Sequence, residues 1–257
     1  NFTMKPEVLL SRIRIVLCRP SHPGNIGAAA RAMKTMGLTR LSLVEPKHFP
    51  DPEADTRATG AVDLLKHAEI YTTLNAALAG TVFVVGLSAR RRDLGPEIGE
   101  PREMVERLLC AAEEGDVALV FGNETMGLSN DEIQCCHAAA SIPTNPEFSS
   151  LNLGSAVQVL SYEVRMAAFS GRPPVSDTLV TPFVSPTAKH DEVEGLYEHL
   201  QSVMTQTGFY NPEQPGRLMP KLRRLFGRIR LERDEVNILR GVLASTQNKT
   251  RHGSRHD

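Results

Sequence analysis

The sequence lacks several features that would place it in a common class of protein. It has no tryptophan, only 5% aromatic residues and no apolar run long enough to cross a bilayer. A secretory signal, with its charged, apolar and small-residue regions in order, is also missing from the start of the chain. With 41% hydrophobic and 23% charged residues, we expect a globular cytoplasmic protein that does not associate with membranes.

Cysteine is scarce as well. The four cysteines are Cys18, Cys110, Cys135 and Cys136. Their spacing does not match a zinc site, and the adjacent pair is poorly placed to form a disulfide with itself. In a reducing cytoplasm we expect buried or half-buried free thiols.

Motifs for metal-dependent or triad chemistry are missing too. No His-Glu-x-x-His pair, Gly-x-Ser-x-Gly elbow or phosphate-loop glycine pattern occurs. The histidines at 22, 48, 67 and 137 are scattered, and each is better explained as a surface or loop residue than as a ligand. A hydrolytic triad and a nucleotide-binding loop are therefore disfavoured, and no metal is expected. A cofactor with reactivity of its own fits what remains.

The net charge of −1 hides a strong asymmetry. From Arg217 to the end there are eleven Lys or Arg against four Asp or Glu, so this part carries +7 and the first 216 residues carry −8. A basic C-terminal segment that follows an acidic first part indicates that this segment binds a polyanion. The alternative is a solvated, charged helix face, which the composition alone does not exclude.

Apolar runs typical of strands alternate with helical patterns over the first 170 residues. The predicted strands are 13–17, 41–44, 81–85, 117–121 and 139–142. The predicted helices are 26–36, 74–79, 102–114 and 153–169. Strands that are apolar throughout and separated by helices favour an α/β fold with a mostly parallel sheet covered on both faces. The last helix is apolar around much of its circumference, so we expect it to be buried.

A second, helical unit is predicted beyond residue 190. Residues 171–190 are rich in proline, serine and threonine and indicate a linker. Three helical apolar stripes follow within 191–257, and the chain from Thr246 onward is polar and expected to fray. This small all-helical extension has roughly the minimum size for a core of its own. We therefore expect it to lean on the first domain or on a partner.

Four loops follow predicted strands, at the end of the sheet where parallel folds bind ligands. They are 19–27, 86–89, 122–127 and 142–152. The last turns through two prolines and delivers small polar side chains, among them Ser150 and Asn152, to the start of a long helix. Unpaired N–H groups at a helix start suit a ligand.

Two of the other loops carry charged candidates. Asn25 and Gly27 stand at the start of a helix that presents Arg31 one turn after Gly27. The guanidinium group of Arg31 is suited to bind phosphate or another oxyanion. A plain turn with a surface arginine is the alternative. Glu124 has no second carboxylate nearby in sequence. We therefore expect it to fix a loop or contact a partner chain rather than to form an acid/base pair.

Three motifs occur in order along the chain: Asn25-x-Gly27-x-x-x-Arg31, then Phe121-Gly-Asn-Glu-Thr-x-Gly-Leu128, then Ile142-Pro followed by Ser150-Leu-Asn152. Together they resemble the SPOUT methyltransferases, and among these the TrmH-like enzymes that methylate ribose 2′-hydroxyl groups of RNA. The resemblance covers roughly residues 12–170. Further details look closer still to a bacterial branch that acts on the ribose of cytidine or uridine at position 32 of the tRNA anticodon loop.

The resemblance implies a parallel α/β domain with a deep C-terminal trefoil knot, a homodimer whose sites use both subunits, and S-adenosylmethionine as methyl donor. The residues that it implies for the donor pocket are Leu87, Ser88, Ala89, Gly122, Ile142, Ser150, Leu151 and Asn152. Those that it implies for catalysis are Arg31, Asn25, Ser150, Asn152 and Glu124.

The residue types are consistent with methyl transfer to a ribose. The donor carries an activated methyl group, so the protein must chiefly position the 2′-hydroxyl and help remove its proton. Because the pKa of arginine exceeds ~12, we expect Arg31 to bind a phosphate and to stabilise the developing alkoxide. The basic tail would hold tRNA phosphates through Arg223, Arg224, Arg228 and Arg230. Action on ribosomal RNA, or RNA binding without catalysis, are the competing interpretations.

Overall fold

The computed structural model describes residues 3–89, 94–170 and 185–253. A seven-stranded sheet organises the first part of the chain. Its strands are β1 (Ile13–Cys18), β2 (Arg40–Val44), β3 (Glu69–Tyr71), β4 (Thr81–Leu87), β5 (Glu97–Gly99), β6 (Asp116–Phe121) and β7 (Ala138–Ala140). The order across the sheet is β3-β2-β1-β6-β4-β7-β5, and every neighbouring pair is parallel. The predicted α/β class with a parallel sheet is confirmed, and the implied trefoil knot stays a prediction.

Helices cover both faces of this sheet. They are α1 (Pro6–Ser11), α2 (Pro23–Met36), α3 (Pro52–Ala58), α4 (Val62–Lys66), α5 (Leu74–Leu78), α6 (Pro101–Ala112), α7 (Asn130–Gln134) and α8 (Leu153–Phe169). The larger core lies between the sheet and α2, α6 and α8, and a smaller one between the sheet and α5 and α7. Strand β1 is buried along its whole length, as a strand covered on both faces must be.

Several predicted boundaries are wrong in detail. Strand β4 continues to Leu87, so Gly86 and Leu87 belong to the strand and not to the loop after it. Strand β7 ends at Ala140 instead of Ile142. Helix α2 starts at Pro23, a residue whose missing N–H costs nothing in the first turn. It ends at Gly37 in the left-handed region, as predicted.

Helix α8 has its predicted bounds but is buried on one side only. Leu160 and Val164 pack into the core, whereas Tyr162, Met166 and Phe169 are 47%, 50% and 46% exposed. The expectation of a helix buried all round is therefore wrong for this chain alone. A large apolar surface of this kind is typical of an interface.

Two glycines let the helices around the site approach each other closely. A Cβ atom on Gly27 would lie 2.1 Å from the carbonyl oxygen of Ala54 in α3. One on Gly154 would lie 2.7 Å from the Cβ of Ala28, where α8 crosses α2. Gly27 therefore serves packing between helices, and the predicted link between Gly27 and a ligand is not needed to explain it.

The helical extension consists of α9 (His190–Gln206), α10 (Leu218–Gly227) and α11 (Arg233–Gly253). Its small buried apolar cluster includes Ala188, Leu196, Leu231 and Val236, and the bundle contacts the first domain, as expected. Backbone N–H of Gly80 donates to Asp191 (3.0 Å), and Arg230 binds Glu114 (3.1 Å). Gly80 and Glu114 lie just before β4 and β6, at the amino ends of these strands.

Two further expectations concern the chain around this bundle. The backbone of α11 is helical past Thr246 to Gly253, so the predicted fraying is wrong for these residues. Most of the predicted linker, residues 171–184, lies outside the described ranges, as does the arginine run 90–92. No helix within the described ranges is long and apolar enough to cross a membrane.

Candidate active site

The four candidate loops leave four neighbouring strands. Strands β1, β6, β4 and β7 lie side by side in the sheet, so their carboxyl ends meet along one edge. The loops after β1, β6 and β7 are joined there by side-chain hydrogen bonds. The prediction that residues from these separate motifs come together is therefore met by the fold.

Glu124 is the centre of the contacts between the first and third loops. Its carboxylate accepts hydrogen bonds from the backbone N–H of Ser21 (2.8 Å), the Ser21 hydroxyl (2.7 Å), the backbone N–H of His22 (3.1 Å) and Nδ2 of Asn25 (3.0 Å). Partial burial alone would raise the pKa of Glu124, but the hydrogen bonds from Asn25 and Ser21 outweigh it and lower that pKa to about 2. The carboxylate is therefore ionised at neutral pH and suited to hold a loop, not to take up a proton.

A line of hydrogen bonds continues from Glu124 to the start of α8. Nδ2 of Asn152 donates to Oδ1 of Asn25 (2.8 Å), and Oδ1 of Asn152 accepts from the backbone N–H of Gly154 (2.8 Å). Asn152 is thus the N-cap of α8. One continuous polar path connects residues from all three motifs.

The two ends of this path fix the direction of both amides. A carboxylate can only accept and a backbone N–H can only donate. Glu124 at one end therefore requires Nδ2 of Asn25 to face it, and Gly154 at the other end requires Oδ1 of Asn152. Within the described residues, Nδ2 of Asn25 and Nδ2 of Asn152 each donate one of their two hydrogens to a hydrogen bond of this path. The second hydrogen of each is available for a ligand.

Arg31 lies on the exposed side of α2, six residues after Asn25. Its guanidinium makes no hydrogen bond or ion pair with any other residue in the described ranges. A permanently charged fork without an internal partner can bind an external anion. The structure thus leaves Arg31 available for the role that the sequence predicts.

The residues predicted for the donor pocket lie at the end of β4 (Leu87) and on the loops after β4, β6 and β7. Ser88 donates its backbone N–H to the carbonyl oxygen of Ala140 (2.9 Å), which holds the end of β4 beside the end of β7. Ser150, Leu151 and Asn152 are exposed, Leu87 and Ile142 are half-buried, and Ala89 is exposed. Their contacts with a donor stay a prediction.

Gly122 has a structural explanation of its own. A Cβ atom at this position would lie 2.1 Å from the backbone nitrogen of Leu128 and from the carbonyl carbon of Gly127. The loop after β6 folds back over Gly122, and only glycine fits there. A direct contact of Gly122 with the donor is not required to account for this glycine.

Sequence reasoning missed two residues that build the site, Asn123 and Ser21. Asn123 donates from Nδ2 to the carbonyl oxygen of Arg19 (2.8 Å) and accepts from the N–H groups of Thr125 and Met126. Ser21 supplies two of the bonds to Glu124. The Asn at 123 is a frequent turn-forming residue, but its second contact, across 104 positions, leaves no local signal.

The predicted RNA-binding arginines divide into two groups. Arg223 forms a bidentate ion pair with Glu194 (2.6 and 2.7 Å) and stacks on the ring of Tyr197, and Arg230 binds Glu114. These two guanidinium groups are used within the chain. Arg224 and Arg228, in contrast, have exposed side chains.

The cysteines are free thiols. All four thiols are free, with Cys18 and Cys136 buried and the other two half-buried, as predicted. Burial raises the pKa of Cys135 to about 12 and that of Cys110 to about 11, so both thiols stay protonated at neutral pH. Within the described ranges no group of three or more His, Cys, Asp or Glu is arranged to hold a metal ion.

Two family models match this chain. The model described as the SpoU rRNA methylase family matches residues 12–162. The model described as the C-terminal domain of the tRNA methyltransferase TrmJ matches residues 191–255. The first range contains the sheet and all the loops of the polar path, and the second contains the helical bundle.

Individual relatives agree with these matches over nearly the whole chain. The tRNA (cytidine/uridine-2′-O-)-methyltransferase TrmJ of Yersinia enterocolitica is 49% identical over 96% of each chain. The tRNA (cytidine/uridine/adenosine-2′-O-)-methyltransferase TrmJ of Pseudomonas aeruginosa is 48% identical over 95% of this chain and 96% of its own. The crystal structure of TrmJ from Z. mobilis superimposes with a TM-score of 0.79 at 32% identity, covering 91% of this chain and 98% of that one.

Proposed function

This chain belongs to the SpoU rRNA methylase family, and within it to the TrmJ proteins, and from this premise we propose that it methylates the ribose 2′-hydroxyl of a nucleotide in tRNA. The observation that carries the proposal is the polar path from Glu124 through Asn25 and Asn152 to the start of α8. It assembles the three sequence motifs into one site at the carboxyl edge of the sheet. Near-complete coverage by TrmJ relatives supports the choice of reaction.

S-adenosylmethionine supplies an activated methyl group when bound, and the residues present suit such a molecule. The half-buried side chains of Leu87 and Ile142 offer apolar surface, while the exposed hydroxyl of Ser150 and the second N–H of the Asn152 amide offer polar contacts. A ligand with a flat base, a ribose and an amino acid part needs both kinds of surface. We assign the donor pocket to the loops after β4, β6 and β7.

The protein's own part in the reaction is to hold the ribose and stabilise charge. Arg31 binds a phosphate of the RNA and its positive charge stabilises the alkoxide that develops at the 2′-oxygen. The remaining N–H of Asn25 is directed by Glu124 and can hold an oxygen of the same nucleotide. Because the pKa of Glu124 is low, Glu124 acts through Asn25 and does not take the hydroxyl proton. Water or a phosphate oxygen receives that proton.

The substrate is assigned to tRNA over ribosomal RNA because the helical bundle matches the TrmJ C-terminal domain. Exposed Arg224 and Arg228 offer that bundle two phosphate contacts. Position 32 of the anticodon loop is the proposed target nucleotide. A ribosomal target is the second candidate, since the model that matches the first domain carries a ribosomal RNA description.

A homodimer is part of the proposal. The surface of α8 that carries Tyr162, Met166 and Phe169 is apolar and half-exposed in the single chain. A second copy placed on this surface would bury the C-terminal half of α8, the helix whose N-cap is Asn152. Light scattering of the protein at micromolar concentration tests this part independently of activity.

The reaction is tested by incubating the protein with unmodified tRNA, unmodified ribosomal RNA and methyl-labelled S-adenosylmethionine, followed by mass spectrometry of the nucleosides. We expect labelled 2′-O-methylcytidine or 2′-O-methyluridine from tRNA only. Label in ribosomal RNA alone would move the proposal to the second candidate. Donor binding without label in either RNA would contradict catalysis altogether.

A further inference from the structure

The site is held by an ion pair that the polar path does not include. Arg19 follows β1 directly, and its guanidinium reaches Glu132 with two parallel hydrogen bonds, Nε to Oε1 at 2.9 Å and Nη2 to Oε2 at 2.8 Å. Paired contacts of this kind fix direction as well as distance. The pair joins the loop after β1 to α7, the helix that follows the loop carrying Glu124.

Glu132 is itself held in place. It is the third residue of α7 and forms a capping box with Ser129. The Glu132 carboxylate accepts from the backbone N–H of Ser129 at 2.6 Å, and the Ser129 hydroxyl accepts from the backbone N–H of Glu132. Its side chain is only 13% exposed, against 37% for Arg19. Arg19 is therefore tied to an anchored carboxylate and not to a mobile surface group.

The backbone conformation of Arg19 indicates the role of the ion pair with Glu132. Arg19 has φ of +50°, in the left-handed region that non-glycine residues seldom adopt. Its carbonyl oxygen accepts from Asn123 (2.8 Å), and the chain then turns so that the next N–H groups, those of Ser21 and His22, point at Glu124. A residue in an unfavourable backbone conformation must be stabilised by its surroundings. The bidentate ion pair between Arg19 and Glu132 is one of the contacts that stabilise it.

We propose that Arg19 and Glu132 are positioning residues for methyl transfer, because their ion pair holds the turn that places Ser21 and His22 on Glu124 and so fixes the direction of the Asn25 amide. Neither side chain touches the RNA or the donor in this scheme. The pair acts through the loop backbone. The inference rests on the proposed function for its kinetic consequence but not for its structural one.

The kinetic test uses Arg19→Met, which keeps length and loses the fork, Glu132→Gln, which keeps shape and loses the charge, and the double variant. We expect each single variant to lower kcat by about threefold to tenfold, because a small misplacement of a positioned group is costly. KM for tRNA and donor affinity should stay within about twofold of wild type, and the double variant should be no worse than the poorer single one.

The matched control is Arg40→Met. Arg40 forms an ion pair of similar length with Asp116 (2.7 Å), with both side chains 34% exposed, but at the amino end of the sheet, away from the site. We expect Arg40→Met to keep wild-type kcat. A loss in Arg40→Met equal to that in Arg19→Met, or a double variant with multiplied losses, would overturn the inference.

A second measurement does not depend on methyl transfer. In protein labelled with 15N-asparagine, the side-chain amide signals of Asn25 report the hydrogen bond to Glu124, and Asn25→Asp assigns them by their loss. We expect these signals to shift in Arg19→Met and Glu132→Gln and to stay in place in Arg40→Met. Unchanged Asn25 signals in both site variants would refute the positioning role. Shifted signals in a protein that methylates no RNA would uphold it while the proposed function fails.

Discussion

Replacing Glu124 by glutamine changes one oxygen into an amide nitrogen at the centre of the site. The carboxylate accepts from two backbone N–H groups, from the Ser21 hydroxyl and from the amide of Asn25. Glutamine offers one acceptor oxygen and two further N–H donors. At least one of the present donors would then face another donor, and Glu124→Gln would no longer dictate which end of the Asn25 amide turns toward it.

The cost to stability follows from the bonds lost. A hydrogen bond to a charged group contributes roughly 1.5–3 kcal/mol, and a buried donor left unpaired costs about 1–3 kcal/mol. Because Glu124 is half-buried and water can replace part of the loss, we expect a net destabilisation of about 2 kcal/mol. For a protein of this size, this corresponds to a fall in Tm of roughly 4–8 °C.

The cost to activity should be larger than the cost to stability explains. Misdirection of the Asn25 amide removes a positioned contact in the transition state, and we expect kcat/KM for tRNA to fall by about tenfold to a hundredfold at a temperature where the variant is fully folded. Methylation is measured by transfer of label to tRNA, folding by circular dichroism, and donor affinity by calorimetry. Donor affinity should stay close to that of wild type.

Glu113→Gln is the matched control for this experiment. Glu113 also accepts several hydrogen bonds at one carboxylate, from Thr3 and Met4, but at the far end of α6. It should lower Tm without lowering kcat/KM. If Glu124→Gln methylates tRNA as well as wild type does, or loses no more activity than Glu113→Gln, then the direction of the Asn25 amide has no catalytic role.

Three further predictions follow from the same structure. Arg31→Ala should abolish methylation while calorimetry still detects donor binding at wild-type affinity; near wild-type methylation would contradict its role. Arg224→Ala with Arg228→Ala should weaken tRNA binding and reduce its salt dependence by about two phosphate contacts, measured by filter binding at several salt concentrations, with donor affinity unchanged. Burial lowers the pKa of His137 to about 3, whereas the unfolded chain has a pKa near ~6.5. The stabilising contribution of the neutral ring is therefore complete above pH ~6.5 and is lost as the pH falls toward 3, so Tm should drop between pH 7 and pH 5, and by less in His137→Gln; an equal drop would contradict this account.

The sequence indicates the central part of the fold because that part has strong local patterns. The four strands β1, β2, β4 and β6 are long apolar runs, and α8 has a sustained helical pattern with an Asn cap. The two edge strands were missed. Glu69–Tyr71 and Glu97–Gly99 have three residues each and no alternation, and they become strands only because a neighbour supplies the hydrogen bonds.

The candidate site was predictable to the level of its residue types but not of its connections. Asn25, Glu124 and Asn152 were selected from motifs, and the structure joins them. Which of them holds which is decided by contacts across about a hundred positions, such as Ser21 with Glu124. The contact of Arg223 has the same cause, since Arg223 pairs with Glu194, 29 positions away, and this pairing leaves no local signal in the sequence.

The helical bundle contacts the amino ends of β4 and β6, while the proposed active site lies at the carboxyl edge of the same sheet. A strand of six residues spans about 20 Å, so the bundle contacts at Gly80 and Glu114 lie roughly that far from the carboxyl edge of the sheet. If the bundle and the site both hold RNA, a fragment too short to span that distance can occupy only one of the two surfaces. Selection of tRNA would then depend on the overall dimensions of the substrate, with the sequence around the methylated ribose contributing a separate requirement.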